Sequence, residues 1–363
     1  MALEQTPLEL ATLSAAVQKI VGPDAPGPAK MMAAKGLAPM GPQDLVTAIY
    51  QLTHDADPKI AQSAVVSANR FPEKILAGAL GEALDPRVID FFSTRLIDKP
   101  QLLEKVLLNP ITADETFVGL GRCLADRELE ILAGNQTRLL RHPAIIEAIY
   151  FNRNARMSTV NRLLELAVRH GLVLEGIPQF KQIAASIMQS GAEGEEEQVE
   201  ELNPVQADAA FEEILAAADD LEEGEDPVES TRAVNIRMLP IASRIRLASL
   251  GNASHRAVLI KDTNRAVAMA AVASPAVAEP EAVRWASQRE LSEDVIRYIA
   301  TRKEWHKNYG FKLNLINNPK CPLRISMGLI VQLRANDLRA LSRSKNVPGP
   351  LAKAAKMRMQ ARR

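Results

Sequence analysis

The sequence predicts an all-α protein, an α-solenoid of short helical repeats in two duplicated halves. Three observations carry this expectation. The first is internal repetition. Residues 55–68 (DADPKIAQSAVVSA) align with 262–275 (DTNRAVAMAAVASP) at an offset of 207, with Asp55/Asp262, Ala61/Ala268, Ala64/Ala271, Val65/Val272 and Ser67/Ser274 identical. The same offset lays VIDFFSTR (88–95) on VIRYIATR (295–302), four of eight identical. At an offset of 209, NPITADETFVGLGRCLADRELEIL (109–132) lies on NPKCPLRISMGLIVQLRANDLRAL (318–341), seven of 24 identical. A duplicated run of short helices is how stacked repeats are written in a sequence. The second observation is proline punctuation at short intervals. The third is composition: 47% of residues are apolar but only 4% aromatic, which suits thin helix-on-helix layers better than one large core.

The elements follow in order. Residues 1–42 read as an N-terminal helix and a Pro/Gly-rich linker. The helix is expected over 7–21, opening at Pro7, with Leu8, Ala11, Leu13, Ala16, Val17, Ile20 and Val21 outlining an apolar face. Pro23, Pro26, Pro28, Pro39 and Pro42 then exclude any long helix, and leave room for a short turn at Ala29–Lys35.

Residues 43–189 read as a first helical-repeat domain. Helix starts are expected at Asp57-Pro58, Phe71-Pro72, Asp85-Pro86, Lys99-Pro100, Asn109-Pro110 and His142-Pro143. Proline in a first turn loses no hydrogen bond, because that N–H has no intrahelical partner, and an Asp or Asn before it can cap.

Residues 190–230 read as an acidic tether that self-repulsion keeps from packing. From 191 to 230 there are 16 Asp or Glu and no Lys or Arg. One amphipathic island, DAAFEEILAAADDLEE (208–223), sets Phe211, Ile214, Leu215 and Leu221 at helical spacing. Residues 231–363 read as the second repeat domain, ending in a basic stretch with 16 Lys or Arg over 297–363 against Glu304 and Asp337.

The segments LLNPITADETFVGLG, NLINNPKCPLRISMGL and LSRSKNVPGPLAKAA carry a resemblance to bacterial HEAT-like and leucine-rich-repeat-variant α-solenoids. It covers the greater part of the chain. It implies an architecture of HEAT-like repeats and a scaffold or adaptor role, and assigns no site residue.

The residues offer little chemistry. No two of His54, His142, His170, His255 and His306 are three or four apart, so zinc spacing is absent. THDADP (53–58) groups His54, Asp55 and Asp57, but helix capping before Pro58 explains it with less than a metal does. GLGRC (119–123) lacks the third glycine of a dinucleotide loop, and because Gly119 matches Gly328, close helix packing is the better account. Cys123 and Cys321 are expected as buried, unpaired apolar groups in a reducing compartment. Asn135, Gln136, Arg138, Arg141 and His142 read either as one solenoid edge or as a solvated turn and cap. No catalytic residue, cofactor or metal is expected.

The basic end is the best functional clue. Arg302, Lys303, Trp305, Lys307, Tyr309 and Lys312 interleave cations with aromatics, and Arg324, Arg339, Arg343 and Lys345 follow along the last helices. Such a mixture can pair with phosphates and stack on bases. The plainer account is inward-packed aromatics among solvated lysines.

Three functions are expected in order: a non-catalytic scaffold binding another protein, a nucleic-acid or polyanion binder using the basic end, and an enzyme on a helical-repeat scaffold. The acidic tether is expected either to fold back and mask the basic face or to serve as a plain linker. The N-terminus has no secretory pattern and no run reaches a membrane span, so the chain reads as cytoplasmic.

Overall fold

The computed structural model describes residues 3–190, 204–216, 236–344 and 346–361. Among these every regular element is a helix and there is no strand. The chain divides into two compact units, Met1–Gly176 and Ile177–Arg363. The first boundary therefore falls earlier than the expected 189, because the helix that follows Gly176 packs with the second unit.

The first unit holds α1 (Ala15–Val21), α2 (Gly27–Ala34), α3 (Pro42–Leu52), α4 (Pro58–Asn69), α5 (Glu73–Ala79), α6 (Pro86–Ser93), α7 (Pro100–Leu108), α8 (Asp114–Gly121), α9 (Asp126–Gly134), α10 (Gln136–Arg141), α11 (Ala144–Tyr150) and α12 (Met157–Arg169). The second holds α13 (Phe180–Ser190), α14 (Pro204–Ala216), α15 (Ile241–Leu250), α16 (Ala253–Leu259), α17 (Arg265–Ala273), α18 (Glu279–Ser287), α19 (Glu293–Thr301), α20 (Tyr309–Asn317), α21 (Leu323–Ile330), α22 (Ala335–Arg343) and α23 (Gly349–Gln360).

Proline sets many of these starts. Pro58 and Pro86 sit in the first turn after Asp57 and Asp85, whose carboxylates accept the Lys59 and Arg87 N–H groups at 2.9 Å each. Two expectations are corrected. The first helix starts at Ser14, whose hydroxyl accepts the Val17 N–H at 3.2 Å, and not at Pro7. After Asn109-Pro110 and Asn318-Pro319 the chain makes a turn, and the next helices begin only at Asp114 and Leu323.

Besides contacts between consecutive helices, as in α3 on α4 and α22 on α23, packing reaches past the next helix. In the first unit α1 packs on α3, α3 on α5, α5 on α7, α7 on α9 and α9 on α12, while α2 packs on α4, α6 on α8 and α8 on α11. In the second, α15 packs on α17, α17 on α19, α18 on α20 and α21 on α23. Helices of 6 to 13 residues cannot stand alone in water, so this layering is what makes them stable. The buried side chains are mostly Leu, Ile, Val and Ala, with single aromatics such as Phe92, Phe117, Trp285 and Phe311 filling layers.

Polar side chains bolt the layers together. Asn109, Asn152 and Asn318 each follow a helix end and are buried. Their amide nitrogens donate to carbonyls of an earlier layer: Leu80 at 3.1 Å, Gly121 at 2.9 Å and Leu124 at 3.0 Å, and Ala286 and Gln288 at 3.0 Å each. Their Oδ1 atoms accept the N–H two residues on, from Ile111, Asn154 and Lys320. Helix-end carbonyls lack intrahelical partners, and the asparagines satisfy them.

Asp55 and Asp262 play a related part. Each accepts the N–H two residues on, from Asp57 and Asn264, and each pairs with a cation of an earlier helix, Lys30 or Arg244. Buried ion pairs tie alternate helices. Arg256 of α16 meets Glu281 of α18 through two bonds at 3.1 and 2.9 Å. Arg138 of α10 reaches Asp114 of α8 at 2.8 Å and the Thr112 carbonyl at 2.6 Å, with its guanidinium 4.2 Å from the Phe117 ring centre.

Candidate interaction surface

The last helices of the second unit carry the expected site. Ser292 caps α19 by accepting the Val295 N–H, and Val295, Ile296, Ile299 and Ala300 bury one side of that helix. This leaves Tyr298 half-buried and Arg302 exposed. The Arg302 guanidinium lies 4.8 Å from the Tyr298 ring centre and donates to its hydroxyl.

A single 3-10 turn, Trp305–Lys307, follows. Trp305 and His306 are half-buried and meet the buried Phe311 ring at centroid distances of 6.1 and 5.6 Å. Tyr309 donates to the Asp337 carboxylate, accepts the Arg334 N–H at 2.9 Å, and has the Arg334 guanidinium 4.5 Å from its ring centre. Burial, then the Asp337 carboxylate, push the Tyr309 hydroxyl above its usual pKa. Lys312 donates to Gln332 at 2.9 Å. Thus the aromatics pack inward or lie under arginines.

The remaining cations are different. Lys303, Lys307, Arg324, Arg339 and Arg343 are exposed, and none forms an ion pair with a described residue. Arg339 and Arg343, four apart on α22, point away from the buried Leu338 and Leu341. Lys353 and Lys356 are likewise opposite Leu351 and Ala355 on α23. Lys345 lies outside the described residues. Sequence reasoning missed the apolar partner of this charge: Leu323, Met327 and Val331, four apart along α21, are 42%, 41% and 50% exposed, and Met357 of α23 is 62% exposed. The i, i+4, i+8 spacing was the available signal.

Of the amphipathic island, residues 208–216 are described, within α14. Phe211, Ile214 and Leu215 are buried, and α14 packs on α15, where the Arg246 guanidinium is 5.1 Å from the Phe211 ring centre. Leu221 lies outside the described residues.

The other candidates are structural. His54 stacks edge-on to Tyr50 at 5.2 Å, and its burial lowers its pKa; Asp55 and Asp57 serve the turn and cap already described. Arg138 is an inner bolt, Arg141 pairs with Asp114 at 2.7 Å and Asn135 caps α10. Gln136 lines a shallow cleft of about 130 Å³ with Arg162, Arg169 and His170. Gly119 and Gly328 have open space where a Cβ would sit, so neither permits close packing. Gly121 does: a Cβ there would lie 3.3 Å from that of Ala148. Cys321 is buried as expected, but Cys123, at the end of α8, is exposed.

Among the described residues no three His, Cys, Asp or Glu side chains converge as a metal site requires, and no helix is long and apolar enough to cross a membrane. Comparison with known protein families, with curated proteins and with solved structures finds no match to this chain.

Proposed function

We propose that the chain is a non-catalytic scaffold or adaptor, an α-solenoid of two duplicated stacks of HEAT-like repeats, that binds another protein. One observation carries this reading. Buried arginine, glutamate and asparagine side chains hold helices together, as in Arg256–Glu281, Arg138–Asp114 and the three asparagine bolts, rather than converging on one pocket. Stacked repeats present long surfaces, which favours binding. The duplication is supported by matched local bonding. Asp55 and Asp262, at the offset of 207, make the same turn and cation pair, and Asn109 and Asn318, at 209, make the same two-ended bridge. Two unpaired cysteines support a reducing, cytoplasmic setting.

The test is capture from a native lysate with and without nuclease, then direct binding of the captured partner over a range of salt. Capture that survives nuclease and a shallow salt slope are expected. Loss with nuclease, or affinity falling steeply with salt, would transfer the function to the second reading, a polyanion binder. Lys303, Lys307, Arg324, Arg339 and Arg343, exposed and without an ion pair among the described residues, favour that reading. The covered faces of Tyr298 and Tyr309 weigh against it, because unspecific nucleic-acid grooves rely on exposed rings for stacking.

A further inference from the structure

We infer that the outer face of α21 and α23 is a docking site for an acidic amphipathic helix of a partner protein. The inference rests on the scaffold reading above and names the partner's chemistry.

Exposed apolar side chains of the second unit are concentrated on these two helices. Among the described residues of the second unit, the exposed large apolar side chains are Met188, Leu323, Met327, Val331 and Met357. Four of these five lie on α21, at its end or on α23, two helices that pack directly against each other. Leu323, Met327 and Val331 turn by about 40° at each step, so they form one stripe. The stripe is about 12 Å long at 1.5 Å per residue, which matches roughly two turns of a facing helix. Scattered exposed apolar residues need no explanation, but a contiguous stripe marks a contact surface.

The polar half is charge. Between residues 305 and 361 the one acidic side chain is Asp337, and Tyr309 holds it. Arg324 adjoins the stripe on α21, and Lys353 and Lys356 are exposed on α23 without ion-pair partners among the described residues. An occupant must therefore bring apolar anchors inside and carboxylates around them. Helix-in-groove recognition supplies both from one amphipathic helix.

The chain contains a pair of this type. α14 carries exposed Glu212 and Glu213, buries Phe211, Ile214 and Leu215 against α15, and faces the Arg246 guanidinium. A helix seated on its neighbour through an apolar side, with carboxylates left on the outside, is thus a packing this sequence already uses. Nucleic acid fits less well, because Leu, Met and Val offer no stacking surface. An anionic membrane fits less well, because the stripe carries no Trp or Phe to enter the headgroup region.

The test is fluorescence anisotropy with the full chain and a labelled peptide of sequence DAAFEEILAAADDLEE, against a scrambled peptide that breaks the apolar face. Poly-glutamate, single-stranded DNA and phosphatidylserine vesicles are run beside them. The expected result is binding of the amphipathic peptide at least about tenfold tighter than the scrambled one. Met327→Glu with Val331→Glu should remove that preference, and Lys353→Glu with Lys356→Glu should weaken binding and flatten its salt dependence. All four positions are exposed, so the variants should keep the wild-type helical circular dichroism, and milder Met327→Ala with Val331→Ala provides a second reading of the stripe.

Equal binding of scrambled peptide, poly-glutamate or DNA would overturn the inference in favour of a plain polyanion surface. Vesicle binding lost with the stripe variants, without peptide binding, would overturn it in favour of a membrane. A captured lysate partner that still binds the stripe variants would overturn it while leaving the scaffold reading intact. Failure to capture any partner counts against the scaffold reading itself.

Discussion

Asn318 uses both ends of its amide. It takes the Lys320 N–H at 3.0 Å and gives its own hydrogens to Ala286 and Gln288, which fastens α20 to the end of α18. Replacing it with Ala leaves buried carbonyls unpaired, and such groups cost about 1–3 kcal/mol each. Asn318→Ala is expected to lower the unfolding free energy measured by urea denaturation by about that amount, while Asn318→Asp, which keeps the acceptor and loses the donor, should lose a comparable share. A surface asparagine would show neither effect.

Asp114 gives a pH-dependent case. Partial burial pushes its carboxyl up, but Arg141 and Arg138 outweigh this and hold it below the usual 3.8. A carboxylate with a lowered folded pKa stabilises above its unfolded pKa and loses that contribution as pH falls through the folded value. Asp114→Asn should therefore cost roughly 3 kcal/mol at pH 7, because it leaves Arg138 buried beside a neutral group. The gap to wild type should stay constant down to about pH 4 and close below it. Urea denaturation at several pH values measures the gap, and a gap that persists unchanged at pH 2 would reject this account.

At the scale of the element, the two glycines of α8 divide sharply. Gly119 faces open space, so Gly119→Ala should stabilise the helix by about 0.5–1 kcal/mol, the usual penalty of glycine in a helix interior. Gly121 lies against Ala148 and Ile149 of α11, so Gly121→Val should destabilise by about 1–3 kcal/mol through overpacking. Thermal melts of the two variants should move in opposite directions. The same scale explains α14. Its acidic face resembles a segment that stays in water, yet Phe211, Ile214 and Leu215 bury enough surface against α15 to hold it there. In this packing the described part of the tether lies on α15.

At the scale of the whole molecule, each unit has its own core and its own set of bolts. Residues 1–176 contain the partners described above for Asn109, Arg138 and Asp55. Expressed alone, 1–176 is expected to fold with a cooperative melt, and its helical circular dichroism added to that of 177–363 should reproduce the full chain. A non-cooperative melt of 1–176 would show that its layers need the second unit.

The sequence by itself determined the helical class, because proline punctuation and period-3.6 apolar spacing are local properties. It also marked Asp55/Asp262 and Asn109/Asn318 as equivalent, and Asp57 and Asp85 as caps before proline. It overread Pro7 and Asn109-Pro110 as helix starts, since proline fits a turn as well as a first turn. Asn152 escaped notice because no proline follows it, although it makes the same bridge. Tertiary structure alone decided which groups remain free. The cations and aromatics of 297–363 look alike in one dimension, but packing turns Phe311 inward and lays Arg302 and Arg334 on tyrosines. It leaves Arg324 exposed next to Leu323 on α21, and Lys353 and Lys356 exposed on α23. Exposure depends on neighbours from distant positions, and no local pattern contains them.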